Sequence, residues 1–224
     1  MKRLGILCGL IGPMLFLVMV TGLTILQYDF LLGLGWHPLR APTFDWPSGL
    51  ALGPYGGLMT ATFVLCGAMM SLFALRLGAD LSAFAAVQLR QQPNAARIGS
   101  GLFAIAGLAL MGLAFTTDPT GVYPALRGST PATWHGRLHD ASFVMLGLSL
   151  LPGMLVLGRA FHNDARWRGL AIPTWAAAAL VIPAFILKGA AFYVFLAAVL
   201  LWSEMLAWRF KQISDDVIKS RQVA

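Results

Sequence analysis

Five stretches of this chain contain no charged residue, Leu4 to Leu26, Trp46 to Leu75, Ile98 to Thr117, Ala141 to Gly158 and Gly169 to Leu187. A sixth, from Gly189 to Trp208, is interrupted only by Glu204. Each is near the ~20 residues that a helix needs to cross ~30 Å of hydrocarbon at ~1.5 Å per residue. The expected fold is therefore an all-α integral membrane bundle of six transmembrane helices. Composition agrees: 58% hydrophobic, 11% charged and a mean hydropathy of +0.74 exclude an ordinary water-soluble globule, for which about 25% charged is usual. One transmembrane domain over 1–224 is expected, with spans near 4–26, 49–75, 98–117, 137–158, 169–187 and 190–208.

The formal charge of +7 need not signal nucleic acid, because membrane proteins keep Lys and Arg in their cytoplasmic loops. With the N terminus inside, Lys2, Arg3, Arg76, Arg90, Arg97, Arg159, Arg166, Arg168, Arg209, Lys211, Lys219 and Arg221 fall inside, against Arg40, Arg127, Arg137 and Lys188 outside. This twelve-to-four bias puts both termini in the cytoplasm of a cell membrane. The expected partners are membrane lipids and a lipophilic small molecule. The first apolar stretch, 23 residues long, exceeds the roughly 7 to 15 of a signal-peptide core and is expected to stay as a span. Cys8 and Cys66 fall inside spans and are expected to be packing residues without a disulfide. Gly5, Gly9, Gly12, Gly101 and Gly107 are the expected helix contacts. Between the second and third spans, Leu81, Phe84 and Ala85 suggest a short helix on the inner surface, ended by Pro93.

The long connections 27–48 and 118–137 hold or adjoin three of the four histidines, His37, His135 and His139, so any chemistry is expected on the outer side. Thr130 and Pro131 suit the N-cap and first residue of the fourth helix. His135 and His139 then stand at i and i+4, about 6 Å apart at Cβ, a spacing at which two imidazoles can share an ion. Asp118, at the end of the third helix, is a candidate third ligand or general acid. The candidate catalytic set is Asp118, His135 and His139. The same three form the candidate metal set, for which zinc is the fitting ion, and His37, Trp134 and Tyr55 are the expected substrate-binding residues. The competing reading makes the Asp and His groups helix caps that tie down the loop. Glu204 is expected to snorkel or to pair with Arg159 or Arg209. The phosphate-binding GxxxxGK[ST], HExxH and GxSxG motifs are missing, as is a histidine within any of the uncharged stretches to hold a haem.

Three segments carry a resemblance: LALGPYG at Leu50 to Gly56, the tripeptide Thr117, Asp118, Pro119, and HGRLHD at His135 to Asp140. In this order they resemble the six-helix bacterial membrane family called domain of unknown function 998, from about Tyr28 to Arg159. The resemblance implies the six-helix fold and no reaction. Membrane hydrolases with a His and Asp zinc site, and isoprenoid cyclases that protonate with a carboxylic acid, are alike in layout only, without a matched motif. Two functions stay open: a site that binds and transforms a lipid or isoprenoid, and a non-catalytic lipid-binding or assembly protein.

Overall fold

The computed structural model describes residues 2–34, 47–87, 93–118, 132–187 and 190–223. Eight helices carry these segments: α1 (Lys2–Leu26), α2 (Tyr28–Gly33), α3 (Gly56–Val87), α4 (Pro93–Gly112), α5 (Trp134–Asn163), α6 (Ala171–Ala179), α7 (Val181–Leu187) and α8 (Ala190–Val223). Short 3-10 turns occupy Pro47–Leu52 and Arg168–Leu170. Six segments are long and apolar enough to cross a membrane, the fifth being α6 and α7 together. Their outer faces carry the apolar side chains that lipid would contact, such as Val18, Ile25, Leu148, Ile172 and Ile186, all exposed.

Neighbours in sequence are neighbours in space. α1 packs on α3, α3 on α4, α4 on α5, α5 on α6, and α8 returns to lie against α1, so the crossings close into a ring. Small residues set the closest approaches. A Cβ added at Gly9 would lie 2.6 Å from the Phe73 ring, and one at Gly107 would lie 2.7 Å from the Gly67 carbonyl. Gly101 departs from expectation: nothing lies within 4 Å of an added Cβ there, so it lines an open groove instead of a helix contact.

The core divides in two along the membrane normal. The half nearer the termini is rich in aromatic rings, with Phe73, Phe103, Phe161, Trp167, Trp202 and Phe210 buried together. Phe103 and Trp202 meet at 5.2 Å between centroids, and Phe161 stacks on Trp167 at 5.2 Å. The other half centres on Phe16, Leu23, Met59 and Phe63.

Three helix boundaries differ from the sequence expectation. The second span becomes α-helical only at Gly56, because Pro47–Leu52 forms a 3-10 turn and Gly53 and Pro54 follow it. Beyond the membrane the same helix continues to Val87, so residues 77–87 extend the span and do not form a separate surface helix. The third span ends at Gly112, short of Asp118 and Pro119, and Leu113 to Phe115 leave it through turns.

The fifth span is broken at Leu180. Pro183 has no N–H to give the Ala179 carbonyl, so the α-helical ladder is interrupted there and α7 starts afresh. α7 packs on α8, and Ala184 is its only buried residue.

Candidate functional site

The end of the bundle opposite the termini brings together the end of α4 and the start of α5. Asp118 is the last described residue before the connection to α5, and both of its carboxylate oxygens face Thr133. The Thr133 amide donates to Oδ2 at 2.7 Å and its hydroxyl to Oδ1 at 2.7 Å. Thr133 is itself the N-cap of α5, its hydroxyl oxygen accepting the Gly136 amide at 3.1 Å. The N-cap is thus Thr133 and the helix starts at Trp134, three residues beyond the expected Thr130 and Pro131, which lie outside the described residues. A threonine capped by a carboxylate satisfies an orphan amide of the helix and places negative charge at the positive end of its dipole.

His139 lies one turn into α5, 4% exposed. Its Nδ1 contacts the carbonyls of Phe115 at 2.7 Å and Leu113 at 3.2 Å. A carbonyl only accepts, so Nδ1 carries the hydrogen and donates. The imidazole therefore satisfies carbonyls of the turns that follow α4, while the amides of Leu113, Ala114 and Phe115 take the carbonyls of Leu110, Met111 and Gly112. His135 is exposed and its ring lies 3.6 Å from that of Trp134, which also meets Phe115 at 6.0 Å.

The expected meeting of Asp118 with an imidazole does not occur: Thr133 takes the carboxylate, and the Leu113 and Phe115 carbonyls take His139. Among the described residues no three His, Cys, Asp or Glu side chains gather to hold a metal ion. Asp118, His135 and His139 are thus not gathered as a zinc set in this structure, the acid being engaged by Thr133; the Nδ1 donation of His139 to carbonyl oxygens leaves its Nε2 uncommitted. His37 lies outside the described residues.

The expected substrate-binding aromatics sit near the rim. Trp134 is 61% exposed and Tyr55 48%. The Tyr55 amide leads to a residue that the sequence reading passed over. Gln27, 2% exposed between α1 and α2, accepts the Tyr55 amide on Oε1 at 3.2 Å and donates from Nε2 to the Leu50 carbonyl at 3.2 Å. One amide side chain thus pins both ends of the Leu50 to Gly56 segment. An added Cβ at Gly53 would come 2.8 Å from the Gln27 side-chain carbon, so the glycine is what admits it. The available signal was an uncharged amide directly after 23 apolar residues, where burial demands partners.

A cavity of about 100 Å³ lies between the two halves of the core, with walls that include Cys8, Gly12, Phe16, Cys66, Phe103 and Leu200. Both cysteines line it as free thiols, and Cys66 Sγ donates to the Gly12 carbonyl at 3.5 Å. Its α8 wall, Leu196, Val199, Leu200 and Ser203, is only half-buried. Glu204, the next residue, is paired with neither Arg159 nor Arg209. Its Oε2 is buried without a hydrogen-bond partner among the described residues, while Arg209 donates to the Arg166 carbonyl at 2.7 Å and to Gln212.

Six apolar crossings with lipid-facing outer surfaces define a multi-pass helical membrane protein. The chain belongs to the family described as protein of unknown function, DUF998, which matches residues 10–209. The match extends the resemblance seen in the sequence through the last two crossings. No curated protein and no solved structure matches the chain.

Proposed function

We propose that this protein is a lipid-binding protein of the cell membrane that holds the end of an acyl or prenyl chain in its interior cavity, without transforming it. The cavity carries this reading. It lies among the membrane-crossing helices, its walls are almost wholly apolar, and its α8 side is the least covered. An engineered apolar cavity of about 150 Å³ stays dry and takes benzene, so a space of this order suits the end of a hydrocarbon chain better than a polar group. The Asp118, Thr133 and His139 arrangement supports the non-catalytic form, because each group already completes the backbone bonding of a helix end. Trp134 and Tyr55, at the rim, suit the interfacial depth of a headgroup.

The experiment is photocrosslinking with a lipid carrying a diazirine at its chain terminus, followed by peptide mapping. Labelling is expected on α1 near Cys8 and Gly12 and on α8 near Leu200. Ser203→Leu, which fills the cavity from its half-buried wall, should reduce that labelling several-fold. Labelling confined to the outer faces of the helices, unchanged by Ser203→Leu, would remove the proposal.

A further inference from the structure

At the other end of the molecule a groove of about 470 Å³ runs between α3 and α4, open to the outside of the bundle and separate from the interior cavity. It exists because its walls are small: Gly78, Ala79 and Ala83 on α3, and Gly101 on α4. Gly101 faces open space.

The groove has a polar end and an apolar end. Gly78 packs against Ser100, whose Cβ would lie 2.7 Å from an added Cβ at Gly78. The helices follow one another as successive crossings, so they run antiparallel, and three residues from that contact in each chain direction bring Arg97 level with Leu81 and Ser82. Leu75 lies seven residues from Ser82 on α3, about 10 Å deeper along the axis. Arg97 follows the first turn of α4, at the end of the bundle that holds both termini, where a span emerges from hydrocarbon.

The charges leave one cation for a ligand. Arg97 is exposed, is the one charged residue among those lining the groove, and has no acidic partner among the described residues. Asp80, next to Ala79, is bound to Arg166 at 3.4 Å. The Ser100 hydroxyl is already directed to the Ala96 carbonyl at 2.6 Å. The Ser82 hydroxyl oxygen, by contrast, is buried without a hydrogen-bond partner among the described residues, and a buried hydroxyl lacking a partner is costly unless something fills the role.

We infer that this groove is a binding site for an anionic phospholipid of the adjoining leaflet. The phosphate accepts hydrogen bonds from the Arg97 guanidinium, the Ser82 hydroxyl donates to a phosphate or ester oxygen, and one chain lies along Gly101 toward Leu75. Arginine suits phosphate because its planar fork can donate two parallel hydrogen bonds. A zwitterionic lipid would bring an ammonium group to a groove with no free carboxylate, so the site prefers a net negative headgroup. The inference does not rest on the interior cavity, and either site can fail alone.

The test is native mass spectrometry of the full chain in detergent, with phosphatidylglycerol and phosphatidylcholine of equal chain length as probes. The wild type is expected to bind phosphatidylglycerol about tenfold more tightly. Arg97→Gln should abolish that preference and Arg97→Lys should retain part of it. Gly101→Leu, which projects into open space and so leaves the helix packing alone, should weaken binding of both lipids while thermal stability is kept. Equal binding of the two lipids by the wild type, or an unchanged preference in Arg97→Gln, would overturn the inference. Displacement of the lipid by millimolar inorganic phosphate or glycerol 3-phosphate would also overturn it, by identifying a site for soluble phosphate esters.

Discussion

Thr133 gives both its amide and its hydroxyl to Asp118, each at 2.7 Å, while its own oxygen accepts the Gly136 amide at the start of α5. A carboxylate just beyond the end of α4 thus fixes where the next crossing begins. This relationship makes the pair testable as a unit.

Asp118→Ala removes the acceptor of two hydrogen bonds, and Thr133→Val removes the cap. Each is expected to cost about 1–2 kcal/mol. Because they share one network, the double variant should cost clearly less than the sum. Asp118→Asn should keep the fold, since its carbonyl can still accept from the Thr133 amide. Thermal melting in detergent measures all four proteins. Full stability in Asp118→Ala would show that the contact carries no structural weight.

The two histidines should behave unequally. His139→Phe leaves the carbonyls of Leu113 and Phe115 without their donor in a buried place, at a cost of about 1–3 kcal/mol. His135→Ala, on an exposed ring stacked only on Trp134, should change stability by less than about 0.5 kcal/mol. Elemental analysis of the purified wild type is expected to give zinc well below one ion per chain. Stoichiometric zinc that vanishes in both histidine variants would restore the metal set.

Gln27→Leu should loosen the Leu50 to Gly56 segment by removing two buried hydrogen bonds, at about 2–3 kcal/mol in total. Limited proteolysis is the sensitive readout, with faster cleavage expected near Tyr55. Gly53→Ala should give a similar result by forcing the Gln27 amide away. Unaltered cleavage in both variants would mean that the segment is held by its apolar packing alone.

Glycines that look alike in sequence should separate under substitution. Gly9→Leu drives a side chain into Phe73 and should sharply lower the amount of folded protein, because the two helices cannot part without opening the core. Gly101→Leu should accumulate normally. Fluorescence-detected size exclusion distinguishes the two outcomes, and equal loss would contradict the packing described for α4.

Orientation follows from the charge count. Reporter fusions after Leu75, Gly158 and Ala224 are expected to be active in the cytoplasm, and those after Leu26 and Thr117 outside it. An external C terminus with the other reporters unchanged would end the six-helix topology.

The number of crossings was legible because lipid solvation imposes an apolar length, and a row of uncharged residues records it directly. Helix ends were less legible, because tertiary partners set them. The turns after Gly112 are held by His139 through the Leu113 and Phe115 carbonyls, and α5 starts at Trp134 where Thr133 can reach Asp118. Nothing local to either segment fixes those choices. Asp118 and His139 stood out in the sequence, but periodicity could not say that their partners were a threonine and backbone carbonyls. Gln27, Ser82 and the openness around Gly101 depend on which helices lie side by side and at what height, information that a single helix pattern does not contain.

Asp118 and Thr133 lie fifteen positions apart in the chain, and their bonds act as a clasp at the neck of the connection between two crossings. The entropy of closing a flexible loop grows only logarithmically, so doubling its length adds about 0.6 kcal/mol. By that relation alone, a longer connection between the two residues should cost little in closure entropy. At the neck there is no such latitude: one methyl group at Gly136 would run into the Asp118 carboxylate. Substitution at this base should therefore be narrowly restricted, whatever the length of chain that joins its two ends.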